Sequence, residues 1–556
     1  MERYISGRLK KAMFVLFVCL TAFSISHGLI LITTTDFGFG NIAKAFSPGS
    51  VCIVGLLFFA RPDLFPLGLR SYKIGFKEGL FIIFLSSFVV LFLLPWIEAL
   101  SHLIGVLIAL IGLLTAIHLT ITRDDVWGMV VFILTEPFLS FVQWDILFLR
   151  SIYDSGYISI SYISMLLIMG TAAARMLKES TLVRTALDKY VVAFMLILLL
   201  SSITSPDRPE SFKTFFQIVI VGIPFFFIVS SRIQSKKDIM LLLGTFVLYG
   251  VLKGLMINYL LLKGLGFSFL DLVEVRGGLV SNPKAPLYLD GPIPIAISMA
   301  IIYSRSSIKQ VCYYALAVLF FLFLIFVSQT RGSLITLAAG TPILFFYRCG
   351  KRWVVAGIVG MALLMLASNI APIFFQRYGE LISLQGWERA LSMRLDGWRV
   401  ALDMMRDHPF TGVGLGMWEE FIHIYATPFK WMIEGRSIYV YITSAHQGFI
   451  QYGAEAGVGA FVLLLLIILR AQLATFYVMK RAEDEDIHTV AVGLAWTCIG
   501  FLIWGMYAYP RGYVDYAIGS WGLLAIIMGL ERIAKAHTML NEIATNINRT
   551  KGKKLI

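Results

Sequence analysis

Four segments of the sequence carry polar and charged residues whose types could act on an anionic substrate. An arginine guanidinium is always charged and can hold phosphate oxygens through paired hydrogen bonds, and a neutral histidine can take a proton from a hydroxyl group. Together they could stabilise a phosphate leaving group and activate an acceptor. The four segments are Glu274–Gly278 with Ser281–Pro283, Ser328–Ser333, Met393–Trp398 with Asp407–Gly416, and Ser444–Phe449.

Arg331 and His446 are the most informative single residues. Arg331 is flanked by the hydrogen-bonding residues Gln329, Thr330 and Ser333, which suits a bound anion, although an arginine at a span boundary can also simply extend to water. His446 stands at the start of an apolar run, where it could act as a general base or serve as a packed interfacial residue. Both alternatives remain open for each residue. His118 and His408 are weaker candidates.

The sequence contains no metal or nucleotide motif. The five cysteines have no Cys-x-x-Cys spacing and no neighbouring histidine, so we expect buried small residues rather than a disulfide framework or a metal site. Gly412, Gly414 and Gly416 do not follow a predicted strand, and a tight turn is the better interpretation. We therefore expect neither a metal nor a cofactor.

Composition predicts that these residues are positioned by membrane-spanning helices. Of the 556 residues, 58% are hydrophobic and 15% are charged, and the mean hydropathy is +0.80. Continuous apolar runs of the length needed to cross a bilayer, about 20 residues, recur along the chain and favour helices over a β-barrel. The sequence predicts an all-α polytopic membrane protein with about 12–16 transmembrane helices. Predicted starts include residues 212, 238, 447 and 488.

The distribution of lysine and arginine predicts the orientation. With the N-terminus in the cytoplasm, roughly 30 of the 47 basic residues fall on the inner side, which is the usual bias of membrane proteins. The net charge of +13 is thus a topological signal and does not indicate nucleic-acid binding. Both termini are expected in the cytoplasm. Arg331, Arg394 and His446 are expected on the outer side.

One long loop, residues 374–445, is predicted on the outer face near the C-terminal end. Its stretch Met393–Met405 is amphipathic, which indicates a helix lying on or dipping into the membrane surface. We divide the chain into an N-terminal bundle without a recognised motif (1–265), a catalytic region that includes this loop (266–470), and C-terminal spans with a basic cytoplasmic tail (471–556).

The order of these motifs resembles the O-antigen ligase and Wzy polymerase superfamily of bacterial membrane glycosyltransferases. That family has a Ser-Gln-(Ser/Thr)-Arg-Gly element, a long periplasmic loop with an Arg…Trp element and a His-Pro-(Leu/Phe)-x-Gly-Val-Gly turn, and a histidine leading into a Glu-x-Gly span. This chain shows Ser328–Gly332, Arg394 with Trp398, His408–Gly416, and His446 leading into Tyr452–Gly457. It departs from the family in having Gln447 after His446, and Arg399 or Arg406 could replace Arg394 in the alignment.

The resemblance implies a GT-C-like enzyme in the bacterial inner membrane, with its active site facing the periplasm. Such enzymes transfer a glycan from undecaprenyl diphosphate to a glycan, lipid or protein hydroxyl, with inversion and without metal or nucleotide. By the resemblance, Arg331 and Arg394 bind the diphosphate and His446 is the base. Substrate-binding residues would be Arg276, Gln329, Asp396, Trp398 and Tyr452.

Three kinds of alternative function remain possible from the sequence. Within the same class, the chain could be a Wzy-type polymerase of O-antigen or exopolysaccharide, or a protein O-oligosaccharyltransferase. A transporter or flippase of lipid-linked sugars should bury ionisable residues near the membrane midplane, where Lys253 and His118 are among the few candidates. A structural scaffold would leave Arg331 and His446 without a task.

Overall fold

The fold is known from a computed structural model, which describes residues 98–121, 125–145, 160–179, 183–264, 291–328, 331–344, 384–433, 436–442, 444–445, 447–504, 514 and 517–553. The chain forms two compact units. The first comprises Met1–Gly112 and Phe138–Gly156, and the second comprises Leu113–Pro137 and Tyr157–Ile556. The site and all contacts given below belong to the second unit.

Helices dominate the described part of the chain. In chain order they are α1 (Glu98–Ile121), α2 (Asp125–Asp145), α3 (Ile160–Glu179), α4 (Asp188–Thr204), α5 (Arg208–Arg232), α6 (Lys236–Gly264), α7 (Pro292–Tyr303), α8 (Ile308–Ser328), α9 (Arg331–Leu344), α10 (Leu384–Asp407), α11 (Trp418–Tyr425), α12 (Gly448–Ala456), α13 (Val458–Arg481), α14 (Glu485–Trp504) and α15 (Leu523–Lys553), the last preceded by the π-helical turn Ala517–Gly522.

Five of the described helices are long and apolar enough to cross a membrane. A helix satisfies its backbone groups internally, as a hydrocarbon environment requires. These helices confirm the all-α polytopic class, while the predicted number of 12–16 spans stays a prediction because much of the N-terminal region lies outside the described residues. The five segments are Arg208–Arg232, Lys236–Met256, Val458–Arg481, Glu485–Ile503 and Ala517–Leu540.

Helix boundaries follow the predicted starts closely. The starts predicted near residues 212, 238 and 488 correspond to α5, α6 and α14, which begin at Arg208, Lys236 and Glu485. The span predicted from residue 447 is instead two helices, α12 and α13, separated by Gly457 with a φ of +88°. A positive φ is not helical, so α12 ends at Gly457. Residues other than glycine rarely adopt such a φ, which explains the glycine at this position.

Small residues allow the membrane helices to approach one another. At Gly493 in α14, a Cβ atom would overlap the hydroxyl of Ser298 and lie 3.0 Å from the carbonyl oxygen of Pro294, both in α7. A Cβ atom at Gly340 in α9 would overlap the indole of Trp496, whose N–H donates to the Thr336 carbonyl at 3.1 Å. Such close backbone packing is typical of membrane bundles, since lipid supplies little hydrophobic drive for helix association.

The long loop is more varied than predicted. Helix α10 confirms the predicted amphipathic helix, and α11 follows it. The loop also contains an antiparallel hairpin of β1 (Phe429–Ile433) and β2 (Arg436–Val440), with Phe429 opposite Val440. The sequence prediction missed these strands. Two residues, the second of them Gly435, separate two stretches rich in aromatic and β-branched residues, which is a hairpin signal.

Candidate functional site

Helix α10 carries three of the predicted site residues. Arg394 and Trp398 are partly buried, and Asp396 is exposed. The helix forms because apolar residues recur at helical spacing, and its buried face packs into a core that also includes Val413, Trp418, Ile442 and Ala445. The members that α10 contributes to this core are Val400, Ala401 and Met404.

The same helix lies directly against the end of the long loop. Gly397 is buried, and a Cβ atom there would lie 3.4 Å from the α carbon of Ala445 and 3.4 Å from the carbonyl oxygen of Ser444. Arg394 lies one helical turn before this contact, and His446 follows Ala445 in the sequence. The helix of the predicted phosphate-binding arginine therefore packs on the residues that lead into the predicted base. His446 itself lies outside the described residues.

The glycine-rich segment after α10 is a tight turn, as predicted. Gly412, Gly414 and Gly416 have φ angles of +65°, +112° and +81°, which glycine adopts without steric cost. A Cβ atom at Gly412 would overlap the backbone of Glu455 and Ala456 in α12. Glycine is thus needed at Gly412 both for its conformation and for close approach to another helix.

Backbone hydrogen bonds fix this turn on the end of α12. The N–H of Val413 donates to the carbonyl of Ala454 at 3.0 Å, and the N–H of Gly414 donates to the carbonyl of Glu455 at 3.1 Å. In the opposite direction, the N–H of Val458, the first residue of α13, donates to the carbonyl of Pro409 in the turn at 2.8 Å. We call α10, the turn His408–Gly416 and α12 the loop assembly, because these bonds join them into one body.

The buried side chains of Glu455 and Gln451 complete the loop assembly. One carboxylate oxygen of Glu455 accepts from the backbone N–H of Gly416 at 2.6 Å, and the other accepts from the Gln451 amide at 2.7 Å. The amide oxygen of Gln451 in turn accepts from the backbone N–H of Ala445 at 2.7 Å. Both side chains are almost fully buried, and neither was among the predicted site residues. The sequence shows only that a glutamine and a glutamate stand four residues apart at the start of an apolar run, a spacing that lets two side chains meet on one helix face.

Tyr452 and Trp398, two predicted substrate-binding residues, are packed in the protein. The Tyr452 ring is 4% exposed and meets Phe194 of α4 edge to face, with 5.3 Å between ring centroids. The indole nitrogen of Trp398 is buried and has no hydrogen-bond partner among the described residues. Because both side chains are packed against other residues, they offer little surface to a substrate, and their substrate-binding roles stay predictions.

The C-terminal end of α10 carries several charged groups. Arg406 is exposed and lies 3.8 Å from Asp403 and 3.4 Å from Asp407. Partial burial, together with the negative charge of Asp407 and a hydrogen bond to it, raises the pKa of Tyr425 above its ordinary value. These groups pair with one another at the surface.

The remaining predicted residues are only partly described. Helix α8 ends at Ser328 and α9 begins at Arg331, as the predicted break between spans requires, but no contact of the Arg331 side chain is described. Gln329 and Arg276 lie outside the described residues. Within the described ranges, no group of three or more histidine, cysteine, aspartate or glutamate residues could hold a metal ion.

Comparison with known proteins gives one family. Residues 316–465 match the family described as O-antigen ligase. This region contains Arg331, Arg394, the turn His408–Gly416 and His446, and the match confirms the resemblance predicted from the motifs. The family match indicates membrane glycosyltransferase activity of the O-antigen ligase or polymerase type, with a lipid-linked glycan and an acceptor as partners. A search of curated proteins found no match.

Proposed function

We propose that this chain transfers a glycan from undecaprenyl diphosphate to an acceptor hydroxyl at the outer face of the bacterial inner membrane. The family match supports the class of reaction. The observation that carries the finer proposal is the packing of Gly397 on Ser444 and Ala445, which sets the helix of Arg394 against the residues leading into His446. One site can then hold the leaving group and activate the acceptor.

The chemistry follows from the charges of these groups. Arg331 and Arg394 bind the diphosphate and stabilise the negative charge that develops as the bond from the anomeric carbon to the phosphate oxygen breaks. His446 takes the proton of the acceptor hydroxyl, whose oxygen attacks the anomeric carbon from the opposite side and inverts it. Arg331 also begins α9, where the helix dipole favours an anion. Supporting contacts to donor or sugar are proposed for Arg276, Gln329, Asp396, Trp398 and Tyr452.

The geometry of α10 favours Arg394 over the two other arginines considered for the phosphate role. Arg399 and Arg406 are exposed. Arg394 is partly buried and lies one turn from the contact of Gly397 with the loop end. A phosphate held by Arg394 would therefore lie nearer to the loop end than one held by Arg406.

Contacts between distant segments support the proposed orientation in the membrane. The charge count, with sides alternating from a cytoplasmic N-terminus, places the segment before the span near residue 212 on the outer side, and Ser211 of this segment donates to the carbonyl of Leu415 in the long loop at 2.7 Å. The same count places Lys236 and the end of α13, with Lys480 and Arg481, on the inner side, and Lys236 contacts Asp484 and Asp486 just after that end. Each contact joins segments that the charge count assigns to the same side. This supports a loop assembly that faces the periplasm and a cytoplasmic location of the inward loops.

The acceptor could be a lipid such as lipid A core, and two other acceptor classes also remain within the proposal. A Wzy-type polymerase would use a growing glycan, and a protein O-oligosaccharyltransferase would use a protein hydroxyl. A lipid-linked sugar flippase is the alternative of a different class. The buried pair of Lys253 and Glu136, 2.9 Å apart, is the feature that this alternative would use, but the two charges neutralise each other. The proposal therefore favours the enzyme.

A transfer assay with the purified full-length chain tests the proposal. The donor is an undecaprenyl-diphosphate-linked glycan, and lipid A core, free glycan and protein acceptors are offered in turn. We expect transfer to one acceptor class, loss of transfer in His446→Ala, and weaker donor binding in Arg331→Ala and Arg394→Ala. Matched controls are His537→Ala and Arg406→Ala, at exposed positions in α15 and α10. Unchanged transfer by His446→Ala would contradict the base assignment.

The same preparations separate the enzyme from the flippase. A flippase moves the labelled donor across a vesicle membrane without forming a new glycosidic bond, whereas the proposed enzyme releases undecaprenyl diphosphate. Donor movement without release of the diphosphate would contradict the proposal. Equal donor affinity of Arg394→Ala and the parent chain would count against the phosphate role of Arg394.

A further inference from the structure

Glu455 lies in the Glu-x-Gly part of the family motif, and its hydrogen-bond partner Gln451 lies one helical turn before it. The proposed mechanism has no task for either of these buried residues. We propose that both are positioning residues that hold the backbone before His446 in register with α10. This inference rests on the proposed function, because it requires His446 to act as the base. Neither side chain is proposed to touch the substrate.

Hydrogen-bond chemistry determines how the Gln451 amide is oriented. The Glu455 carboxylate is an acceptor, so Gln451 must present its NH₂ group to it. The amide oxygen of Gln451 then faces the backbone N–H of Ala445 at 2.7 Å. An amide without a carboxylate neighbour could rotate and present a donor to this N–H. Glu455 therefore fixes the backbone of Ala445 through Gln451.

The same carboxylate holds the turn that follows α10. Its second oxygen accepts from the N–H of Gly416 at 2.6 Å, and the backbone carbonyl of Glu455 accepts from Gly414 and from the Ser201 hydroxyl, the latter at 2.8 Å. One residue thus connects the turn, α4 and the end of the long loop. The turn after α10 and the chain leading to His446 therefore depend on a common support.

The cost of burial argues that these polar groups have a specific use. Burying an amide or a carboxylate is unfavourable unless hydrogen bonds compensate, and the side-chain hydrogen bonds of Gln451 and Glu455 are 2.6 to 2.7 Å long. Gln472 in α13 provides a contrast, since it is also buried but its amide has no hydrogen-bond partner among the described residues. Gln472 is therefore the matched control for Gln451.

Exchange of the two side chains provides the test. In Glu455→Gln, the NH₂ group of the new amide must face another hydrogen-bond donor, either the Gly416 N–H or the Gln451 amide. In Gln451→Glu, two carboxylates face each other. Each single variant therefore breaks the chain of hydrogen bonds. The double variant Gln451→Glu with Glu455→Gln can form every bond again. Ala445 would donate to the new carboxylate, the new amide would donate to its other oxygen, and Gly416 would donate to the amide oxygen. Gln451→Met, which introduces no charge, is a further variant, and Gln472→Met is the control.

Two readouts distinguish positioning from general stability. We expect each single variant and Gln451→Met to lower kcat about 100-fold per folded molecule, the order of loss that a misplacement of about 1 Å causes, with donor KM within about threefold of the parent. Hydrogen–deuterium exchange of the peptide containing Ala445 should be faster in these variants. The double variant should recover both readouts, and Gln472→Met should match the parent chain.

Every other outcome counts against the inference. It is overturned if the single variants keep the parental kcat while Ala445 exchanges faster, if the double variant recovers exchange but not kcat, or if the double variant fails to fold. His446→Ala in the same assay separates the two proposals. If His446→Ala is inactive while Glu455→Gln and Gln451→Met keep parental kcat, positioning alone is wrong. If His446→Ala remains active, the proposed function is wrong.

Discussion

At the turn after α10 and at the end of the long loop, several backbone N–H groups bond to partners on other elements, whereas in the described spans most threonine hydroxyl groups bond within their own helix. Gly416 and Ala445 donate to side chains of α12, yet Thr245 and Thr489 donate to carbonyls four residues earlier in α6 and α14. Irregular backbone has no partner built into its own geometry and must find one elsewhere. A substitution in the loop assembly should therefore cost more than a similar one in a span.

The largest difference in stability is expected between two glycine-to-alanine substitutions, one in the loop assembly and one in a helix that faces open space. Gly412→Ala places a methyl group against the backbone of Glu455 at a φ of +65°, and should destabilise the fold by more than about 4 kcal/mol and abolish transfer. Gly170→Ala in α3 meets nothing within 4 Å and should be neutral or stabilising by up to about 1 kcal/mol. Thermal unfolding of the two detergent-solubilised variants measures both. Similar unfolding temperatures for the two would contradict the comparison.

The second largest effect is expected at the buried ion pair of Lys253 and Glu136, where polar side chains of two different helices bond to each other, as in the loop assembly. Lys253 of α6 and Glu136 of α2 are 3% and 1% exposed, and Tyr249 also donates to Glu136. Lys253→Met should destabilise the protein by about 3–5 kcal/mol, because it leaves a buried carboxylate without its cation. The double variant Lys253→Met with Glu136→Gln should recover most of this loss. A double variant as unstable as the single one would show that the ion pair is not the cause.

A smaller effect is expected from a pair of hydroxyl deletions. Ser211→Ala removes a hydroxyl that bonds the carbonyl of Leu415 across the fold, and should cost about 1–3 kcal/mol. Thr245→Val removes a hydroxyl that bonds only within α6 at Leu241, and should cost about 0.6 kcal/mol or less. Unfolding midpoints in a denaturant series compare the two. Equal costs would remove the distinction between the regions.

The smallest effect is expected at an exposed ion cluster between inward loops. Burial would raise the pKa of Asp484, but hydrogen bonds from Lys236 and from the Ile487 backbone lower it, and the net pKa lies below its ordinary value. The stabilisation is therefore present above a pH of about 4 and is lost as pH falls through the lowered pKa. Because both side chains are more than a third exposed, Asp484→Asn should cost at most about 1 kcal/mol.

The pH and salt dependence of this last variant provides its check. The parent chain should lose the contribution of Asp484 on acidification or in high salt, and Asp484→Asn should show a smaller dependence on both. Unfolding temperatures measured at neutral and acid pH, each at low and high salt, are sufficient. An equal response of parent and variant would show that the cluster is fully screened.

Sequence patterns were sufficient for those features that depend on local periodicity. Apolar runs located α5, α6 and α14, and the amphipathic stretch Met393–Met405 located α10. Glycine spacing located the turn after α10, and the family motifs placed Arg394 and His446 in order along the chain. These features are readable because helix formation and glycine conformation are decided by neighbouring residues.

Only the tertiary structure decided which of these segments meet. Gly397 contacts Ala445, and Glu455 bonds to Gly416, so residues 39 or more positions apart meet. The break at Gly457 also lies against a distant residue, Phe410. No local pattern encodes them, because a buried polar side chain is stable only where the fold brings it a partner. The sequence determined a membrane protein with an arginine in a long loop and a histidine at its exit. The fold determined that Gln451 and Glu455 form hydrogen bonds with the end of that loop and with the turn after α10.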